Sequence, residues 1–405
     1  MNSRSDDAAF LVASAGISFL LLSVISRLPT AMTLVGSILF LADKRDSFVE
    51  AGALSGIVGL SAAAGAPVVG AAADRWGQRI ILVIACIASA AGLIALVALV
   101  DGGYSFIALA MTGAIAGVSS PQIGSMARSR WMGMTDARRP GALQLALGWE
   151  STVDEIAFIV GPLLVAGLGA AFGTEAPLLA AAGITLTFGV AFACHRTHAL
   201  ARRRSTSRPA APLRSLVSVR LLLLLAGITL MGAFWGSSLA TATAKADAMG
   251  RISEGGLIYG AMAVGSAVTA LLAGLLPHRF PMHLRWLMGS VLLLVAAVGI
   301  FFALTIISLA VWYGIAGLGV GLTIVSLFNL GASAAPPGRA TTTMTSMSSG
   351  LTLGRAGATV LAASLVSAGG VVGGSLSVAA VSVVMLVAAA VYVALRPAEH
   401  QLHPA

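Results

Sequence analysis

The chain has 405 residues, of which 58% are hydrophobic and only 10% charged. A water-soluble domain carries charge on roughly a quarter of its residues, so this composition excludes a soluble enzyme or binding module and makes a lipid bilayer the fitting solvent. The net charge of +9 does not point to nucleic acid, because the basic residues fall in alternate loops, as the positive-inside rule expects.

In lipid, only helices and closed barrels satisfy the backbone. A barrel would show short segments of alternating polarity, whereas runs such as 80–100 and 375–395 are continuously apolar. The pattern predicts twelve spanning helices at 8–42, 49–72, 80–100, 104–127, 142–170, 176–194, 219–243, 254–276, 286–304, 307–334, 341–368 and 375–395. The first run is too long and too interrupted for a cleaved signal peptide. No charge lies between Arg285 and Arg339, and those 53 residues suit two spans, with a break near Thr305. Cys86 and Cys194 read as small packing residues.

With the N-terminus inside, 18 of the 24 Lys and Arg fall on the inner side, among them Arg75, Arg79, Arg128, Arg130, Arg220 and Arg285. Four (Lys44, Arg45, Lys245 and Arg251) fall outside, and Arg27 and Arg355 lie within spans. This bias places both termini in the cytoplasm. Residues 195–218 form a basic, Ser- and Pro-rich cytoplasmic linker between an N-terminal six-helix unit, 1–194, and a C-terminal one, 219–405. Its run Arg202-Arg203-Arg204 reads as a topology anchor near anionic lipid. The halves echo each other. Gly70-x-x-x-Asp74-Arg75-x-Gly77 has a degraded counterpart in Gly274-x-x-x-His278-Arg279-x-Pro281, and Gln122-Ile123-Gly124 matches Asn329-Leu330-Gly331. Parallel repeats of this kind put a binding site at their interface, near the midplane.

Between spans 2 and 3, Gly70, Asp74, Arg75, Gly77 and Arg79 spell G-x-x-x-D-R-x-G-x-R. Gly70 permits close approach of a neighbouring helix. Asp74 suits the positive N-terminal end of a helix, where an anion gains about 0.3–1 kcal/mol. Arg75 and Arg79 are expected to hold this cluster while an inner gate is shut; the plain alternative is a basic turn with an incidental aspartate.

Charges within spans are sharper signals, since each costs at least ~2.5–3.5 kcal/mol near the bilayer centre unless paired or hydrated. Arg27 lies mid-span, and Pro29 loosens the same turn. Span 5 carries Glu150, Asp154 and Glu155. Asp154 falls about 18 Å along that helix, and Glu150 shares its face while Glu155 turns about 100° away. Arg27 is expected to pair with Asp154 or Glu155, either as a proton-linked switch or as a static structural pair. Arg355, at similar depth in span 11, is a candidate contact for an anionic substrate group, a partner for a span 5 acid, or a snorkelling residue. Gln122 and Asn329 are candidates for a cavity wall or for bonds between helices. Trp235 and Tyr259 are candidates for the cavity or for packing. Cys194, His195 and His198 lack the fourth ligand of a metal site. No H-E-x-x-H, G-x-S-x-G or phosphate loop is present, so neither a hydrolase nor an ATP-driven pump has its machinery.

Over essentially its whole length the chain resembles the major facilitator superfamily, on the loop motif Gly70, Asp74, Arg75, Gly77 and Arg79. Gln78 stands where that family usually has a basic residue, which implies a thinner charge network. Gly161-Pro162 resembles the span 5 element of the exporter branch, with Ala157 where a glycine is common. The stretches 27–32 and 154–162 are similar to a bacterial, actinobacterial branch of drug or sugar efflux permeases, in which Arg355 is unusual. The resemblance implies an all-α membrane protein of twelve helices in two pseudo-symmetric six-helix bundles, with Asp74 facing span 11. It implies secondary transport by alternating access: proton-driven export of a small organic molecule, such as a drug or sugar-like metabolite. The expected partners are substrate, protons and lipid. The expected form is a monomer in the bacterial cytoplasmic membrane, with no cofactor, metal or nucleic acid. Uptake by proton symport, and a non-transporting sensor with this fold, are the alternatives.

Overall fold

The computed structural model describes residues 2–135, 140–199, 211–251, 254–273 and 280–395. Arg138, Arg139, the Arg202–Arg204 run, the motif echo from Gly274 to Arg279, and Arg396 lie outside the described residues. Among the described residues the regular elements are helices, with no strand.

Among the described residues, eleven helices are long and apolar enough to cross a bilayer. The last, Ala340–Ala394, has 55 residues, about 80 Å at 1.5 Å per residue and far beyond a ~30 Å hydrocarbon core. Gly370 divides it with φ 59° and ψ −150°, a conformation open to glycine. The chain then returns: Arg220 donates to the Tyr392 hydroxyl at 3.1 Å and to Ser333 at 3.3 Å. That sets the end of the second leg beside the residues that precede the first. The spans are therefore twelve. In order they are Ile17–Arg45, Val49–Trp76, Gln78–Asp101, Phe106–Met134, Gly141–Phe172, Ala176–Cys194, Val219–Ala248, Gly255–Ala273, Met282–Phe302, Ile306–Ala334, and the two legs on either side of Gly370. The break near Thr305 is a capping box, in which Thr305 and Ser308 exchange side-chain-to-backbone bonds.

Three spans are interrupted. The stretch read as one run over 8–42 is divided at Gly16, leaving the polar helix Asn2–Ala15 outside span 1; a 35-residue run, about 52 Å long, exceeds the bilayer core. Span 1 breaks again between Ile17–Ile25 and Leu28–Arg45, with Pro29 in the first turn of the second piece, where its missing N–H is not needed. Span 4 breaks at Ser119–Gln122, between Phe106–Val118 and Ile123–Met134. Span 6 contains a π turn, Thr185–Gly189, and the Phe188 carbonyl accepts from the Ser26 hydroxyl at 3.0 Å. The break of span 1 is thus tied to the bulge of span 6.

Each half has its own core. Met32, Phe40, Leu93 and Leu178, with Phe19, Trp131 and Phe192, belong to the first bundle; Trp286, Tyr313, Phe328 and Met385 belong to the second. Arg128, Arg130 and Arg285, placed by the sequence on the inner side beyond the span ends, instead lie within helices and are buried. Arginines that find partners inside a bundle extend a span past the point where hydropathy ends it.

Gly370→Ala is expected to cost about 1–3 kcal/mol, the cost of forcing a Cβ into a sparsely populated region. Gly369→Ala, where a Cβ meets open space, is expected to be neutral. Thermal unfolding of the two variants in detergent checks the contrast.

Candidate functional site

The breaks of spans 1 and 4 surround a buried ion cluster. Arg27 stands at the N-cap position of the helix Leu28–Arg45 without capping it through its side chain, and its guanidinium reaches span 5 instead. Nη1 donates to Asp154 Oδ1 at 2.9 Å and to the Glu150 carbonyl at 2.8 Å, while Nη2 pairs with Glu150 Oε2. Arg128, on the second piece of span 4, donates to Asp154 Oδ2 at 2.7 Å. The indole of Trp131 donates to Glu150 Oε1 at 2.6 Å, and Ser23 to Oε2 at 3.4 Å. Two guanidinium groups and two carboxylates therefore balance within one bundle. Gly124 makes room for them: a Cβ there would stand 3.3 Å from Asp154 Oδ1 and 3.4 Å from Arg27 Cζ. Gly161 packs without room for a Cβ against Ala31 of span 1, and Pro162 follows within the same helix.

Glu155 does not pair with Arg27, contrary to one of the two pairings that the sequence allowed. One residue beyond Asp154, it turns about 100° away and meets the second bundle, where Ser266 of span 8 donates to its Oε1 at 2.7 Å. Arg355 interacts with Glu155 at longer range. The Arg355 guanidinium stacks 4.9 Å from the Phe158 ring of span 5 and 5.9 Å from the Trp235 ring of span 7. Tyr259 is within electrostatic reach of both Arg355 and Glu155. These residues form a second cluster, on the seam between the bundles.

A third group closes the seam at the face carrying Arg75, Arg79 and Arg196, hereafter the basic face. Asp74 accepts from the backbone N–H of Thr341 at 3.1 Å, from that of Thr342 at 2.8 Å and from the Thr342 hydroxyl at 2.6 Å. It sits on the exposed N–H groups that begin span 11. Gly70 packs directly on Thr345, and Gly77, at φ 96°, turns span 2 into span 3. Arg75 and Arg79 differ from expectation: both are exposed, and Arg75 lies over the Trp76 ring at 5.4 Å. Their place in the network is taken by Gln78. Its Nε2 donates to Ser129 at 2.5 Å and to Thr341 Oγ1 at 3.1 Å, and its Oε1 accepts from Arg130 Nε at 3.0 Å. Deeper along the seam, Ser125 bonds Ser348 at 2.8 Å and Ser349 donates to the Ala63 carbonyl at 2.5 Å, while nearer the basic face Gln144 donates to the Ala273 carbonyl at 2.5 Å. The seam is thus closed from the basic face to mid-depth. At the opposite face, ties run within a half, such as Lys44 to Asp101 at 3.4 Å and Lys245 to the Phe301 carbonyl at 3.0 Å.

Two candidates lie elsewhere. Gln122 donates locally to the Ser120 carbonyl at 3.2 Å, at the break of span 4. Asn329 donates to Val325 of its own helix and lines a cavity of about 420 Å³ near the basic face, with Gln144, Arg220 and Arg285. Both of those arginines already bond protein oxygens there, and Asn329 is not part of the Arg355 cluster.

Sequence reasoning missed Arg128, Trp131, Ser266 and the role of Gln78. The one available signal was Gln78 itself, as the departure from the loop pattern.

Residues 19–359 match the Major Facilitator Superfamily. The chain belongs to that family. No match was found among curated proteins. Among solved structures, a bacterial homologue of the iron transporter ferroportin, outward-facing with soaked iron, is 18% identical with a TM-score of 0.74, over 94% of this chain and 99% of that one. The proton:xylose symporter XylE is 13% identical with a TM-score of 0.70, over 95% and 96%. The human organic anion transporter MFSD10 is 17% identical with a TM-score of 0.66, over 94% and 98%. At these identities the likeness is one of fold. The chain is accordingly a multi-pass membrane transporter of that superfamily, not an enzyme.

Glu150→Gln breaks a buried pair and is expected to cost up to about 3–5 kcal/mol. Glu155→Gln keeps an oxygen for Ser266 and is expected to shift stability far less. Thermal midpoints of the two variants check this order; equal losses would show that Glu155 is held as tightly as Glu150.

Proposed function

We propose that the protein is a proton-coupled exporter of a small organic molecule, working by alternating access, with Glu155 as the proton-carrying acid. The observation that carries this reading is the bond from Glu155 across the seam to Ser266 at mid-depth, with Arg355 nearby. A carboxylate in that place is held by a hydroxyl rather than by a close guanidinium. Asp154, by contrast, has each oxygen on a different arginine and serves with Arg27 and Glu150 as a fixed frame. Protonation of Glu155 alters both its link to Ser266 and its attraction to Arg355, so proton occupancy and the state of the seam are linked. Arg355, stacked between two aromatic rings, offers its charge to an anionic or electronegative substrate group. The ring faces suit an apolar remainder.

The basic face is read as cytoplasmic by the positive-inside rule, with both termini there, in a bacterial inner membrane and as a monomer. The Asp74, Gln78 and Thr341 contacts then form the inner gate, shut in this structure. Export is supported by the resemblance of Gly161-Pro162 to the exporter element. A second reading, uptake by proton symport, draws on the similar fold of a proton:xylose symporter and uses the same residues. The sign of the gradient that drives flux separates the two.

A growth screen over a panel of toxic compounds, with the protein present or deleted, identifies substrates for proteoliposome assays. Glu155→Gln is expected to lose at least about tenfold of pH-gradient-driven flux, a transition-state loss near 1.4 kcal/mol, while substrate exchange without a gradient persists. Arg355→Ala is expected to raise KM for anionic substrates. Undiminished gradient-driven flux in Glu155→Gln refutes the coupling role, and no flux of any compound marks a sensor.

A further inference from the structure

A continuous hydrogen-bond chain joins the solvent at the basic face to the seam. Ser18 Oγ meets His195 Nε2 at 3.1 Å, and His195 Nδ1 meets Thr197 Oγ1 at 3.1 Å. Thr197 Oγ1 accepts from Arg130 Nη1 at 2.9 Å, and Arg130 Nε donates to Gln78 Oε1 at 3.0 Å. Gln78 Nε2 then donates across the seam to Thr341 Oγ1 at 3.1 Å, beside the two N–H groups held by Asp74. His195 is half-buried and reachable by water, whereas Thr197 and Arg130 are fully buried.

The donor and acceptor roles fix the tautomer. The Thr197 hydroxyl accepts from Arg130 and lies 3.1 Å from His195 Nδ1. The Thr197 N–H, at 3.4 Å, points there. Nδ1 is therefore the acceptor, and Nε2 carries the hydrogen donated to Ser18. Arg130 is held by neutral acceptors, the Gln78 and Phe192 oxygens and Thr197, with the Phe192 ring 4.1 Å away. Its Nη2 has no hydrogen-bond partner among the described residues.

We propose that His195 is a cytoplasmic pH sensor for the inner gate: its neutral form holds Thr197, Arg130 and Gln78 in the closed arrangement, and its protonation releases them. A proton on Nδ1 removes the acceptor that Thr197 needs. It also sets a second cation beside Arg130, whose hydrogen-bond partners among the described residues include no carboxylate, the Cys194 thiol being the acidic group within its electrostatic reach. Among the described residues, the other groups facing His195 add no carboxylate: Ser18 and Phe19 from span 1, and Arg196 and His198 from its own segment, with Arg196 packed over Gly16. Burial first, then Arg130, Arg196 and His198, hold the His195 pKa below the ordinary histidine value. A group whose pKa is lowered in the closed state weakens that state as pH falls, so acidification opens the gate. Arg130 and Gln78 act here as positioning residues for the Asp74 contact. The inference rests on reading the basic face as the inner gate.

The test uses the full chain in lipid nanodiscs, with Cys194→Ala and spin labels on Ala9→Cys and Leu395→Cys, exposed sites on opposite halves; Cys86 is buried. Distance distributions are read at about pH 7.5 and about pH 5.5, either side of the ordinary histidine pKa of ~6.5. The closed population is expected to fall by about half or more at the lower pH. His195→Asn, which keeps an acceptor near Nδ1, is expected to stay closed at both. Thr197→Val is expected to be open-shifted at both, with Thr197→Ser restoring the parent response. His198→Gln is expected to respond as the parent does. A full pH response in His195→Asn, or none in the parent, overturns the proposal. Glu155→Gln in the same experiment separates the two readings: it is expected to keep the shift that depends on His195 even where gradient-driven flux is lost.

Discussion

Four charged side chains meet where a bilayer tolerates none singly. At ~2.5–3.5 kcal/mol each, Arg27, Arg128, Glu150 and Asp154 left unpaired would consume most of the 5–15 kcal/mol by which a folded protein is ordinarily stable. The first bundle answers by giving each Asp154 oxygen its own guanidinium and each Glu150 oxygen its own donor. Much of the local architecture follows from that requirement. Arg27 must leave the axis of span 1, so the helix breaks beside it. Span 4 must present Arg128 without crowding Asp154, so Gly124 stands one residue inside its second piece. Both interruptions are affordable because they face protein rather than lipid.

This frame contrasts with the seam. Within the first bundle the contacts are ion pairs; between the bundles they are hydroxyls, amides, one aspartate at a helix start and one glutamate on a serine. Neutral hydrogen bonds contribute about 0.5–1.5 kcal/mol each and are readily replaced by water. Under the proposed alternating access, a surface that parts and rejoins in every cycle is well served by many such bonds, and a bundle that moves as a rigid body is well served by charges locked inside it. The arginine stacked over Phe328, Arg128, links the two regimes, since its ion pair lies in one half and its ring contact, at 3.9 Å, in the other.

The fold was largely legible from hydropathy, loop charge and the Gly70–Arg79 spacing, because a bilayer allows few answers. Boundaries were less so. Span 4 was ended at 127, yet the helix runs to Met134 with Arg128 and Arg130 buried, since hydropathy weighs a charge as if it met lipid alone. That Glu150 and Asp154 share a face followed from their four-residue spacing. That Glu155 meets Ser266 depended on contact between two segments more than a hundred residues apart, which no local pattern carries. Gln78 is the clearest case of a departure from pattern acquiring a role: an amide both donates and accepts, so it can join Arg130 to Thr341, where an arginine could only donate.

Asp154 and Glu155 show how one turn of helix can serve two purposes. They are the same kind of group at nearly the same depth, separated by a single residue and about 100° of rotation. That rotation puts one carboxylate inside a balanced cluster and the other on a surface shared with the opposite bundle. The first gains nothing from a proton, because a neutral Asp154 would leave two buried guanidinium groups sharing one carboxylate. The second loses little, because a neutral Glu155 can still accept from Ser266. Span 5 therefore carries both the anchor of the first bundle and the carboxylate through which, in the proposed coupling, a proton acts on the seam. Any movement of that helix relative to span 8 changes the surroundings of Glu155 while the surroundings of Asp154 travel with it.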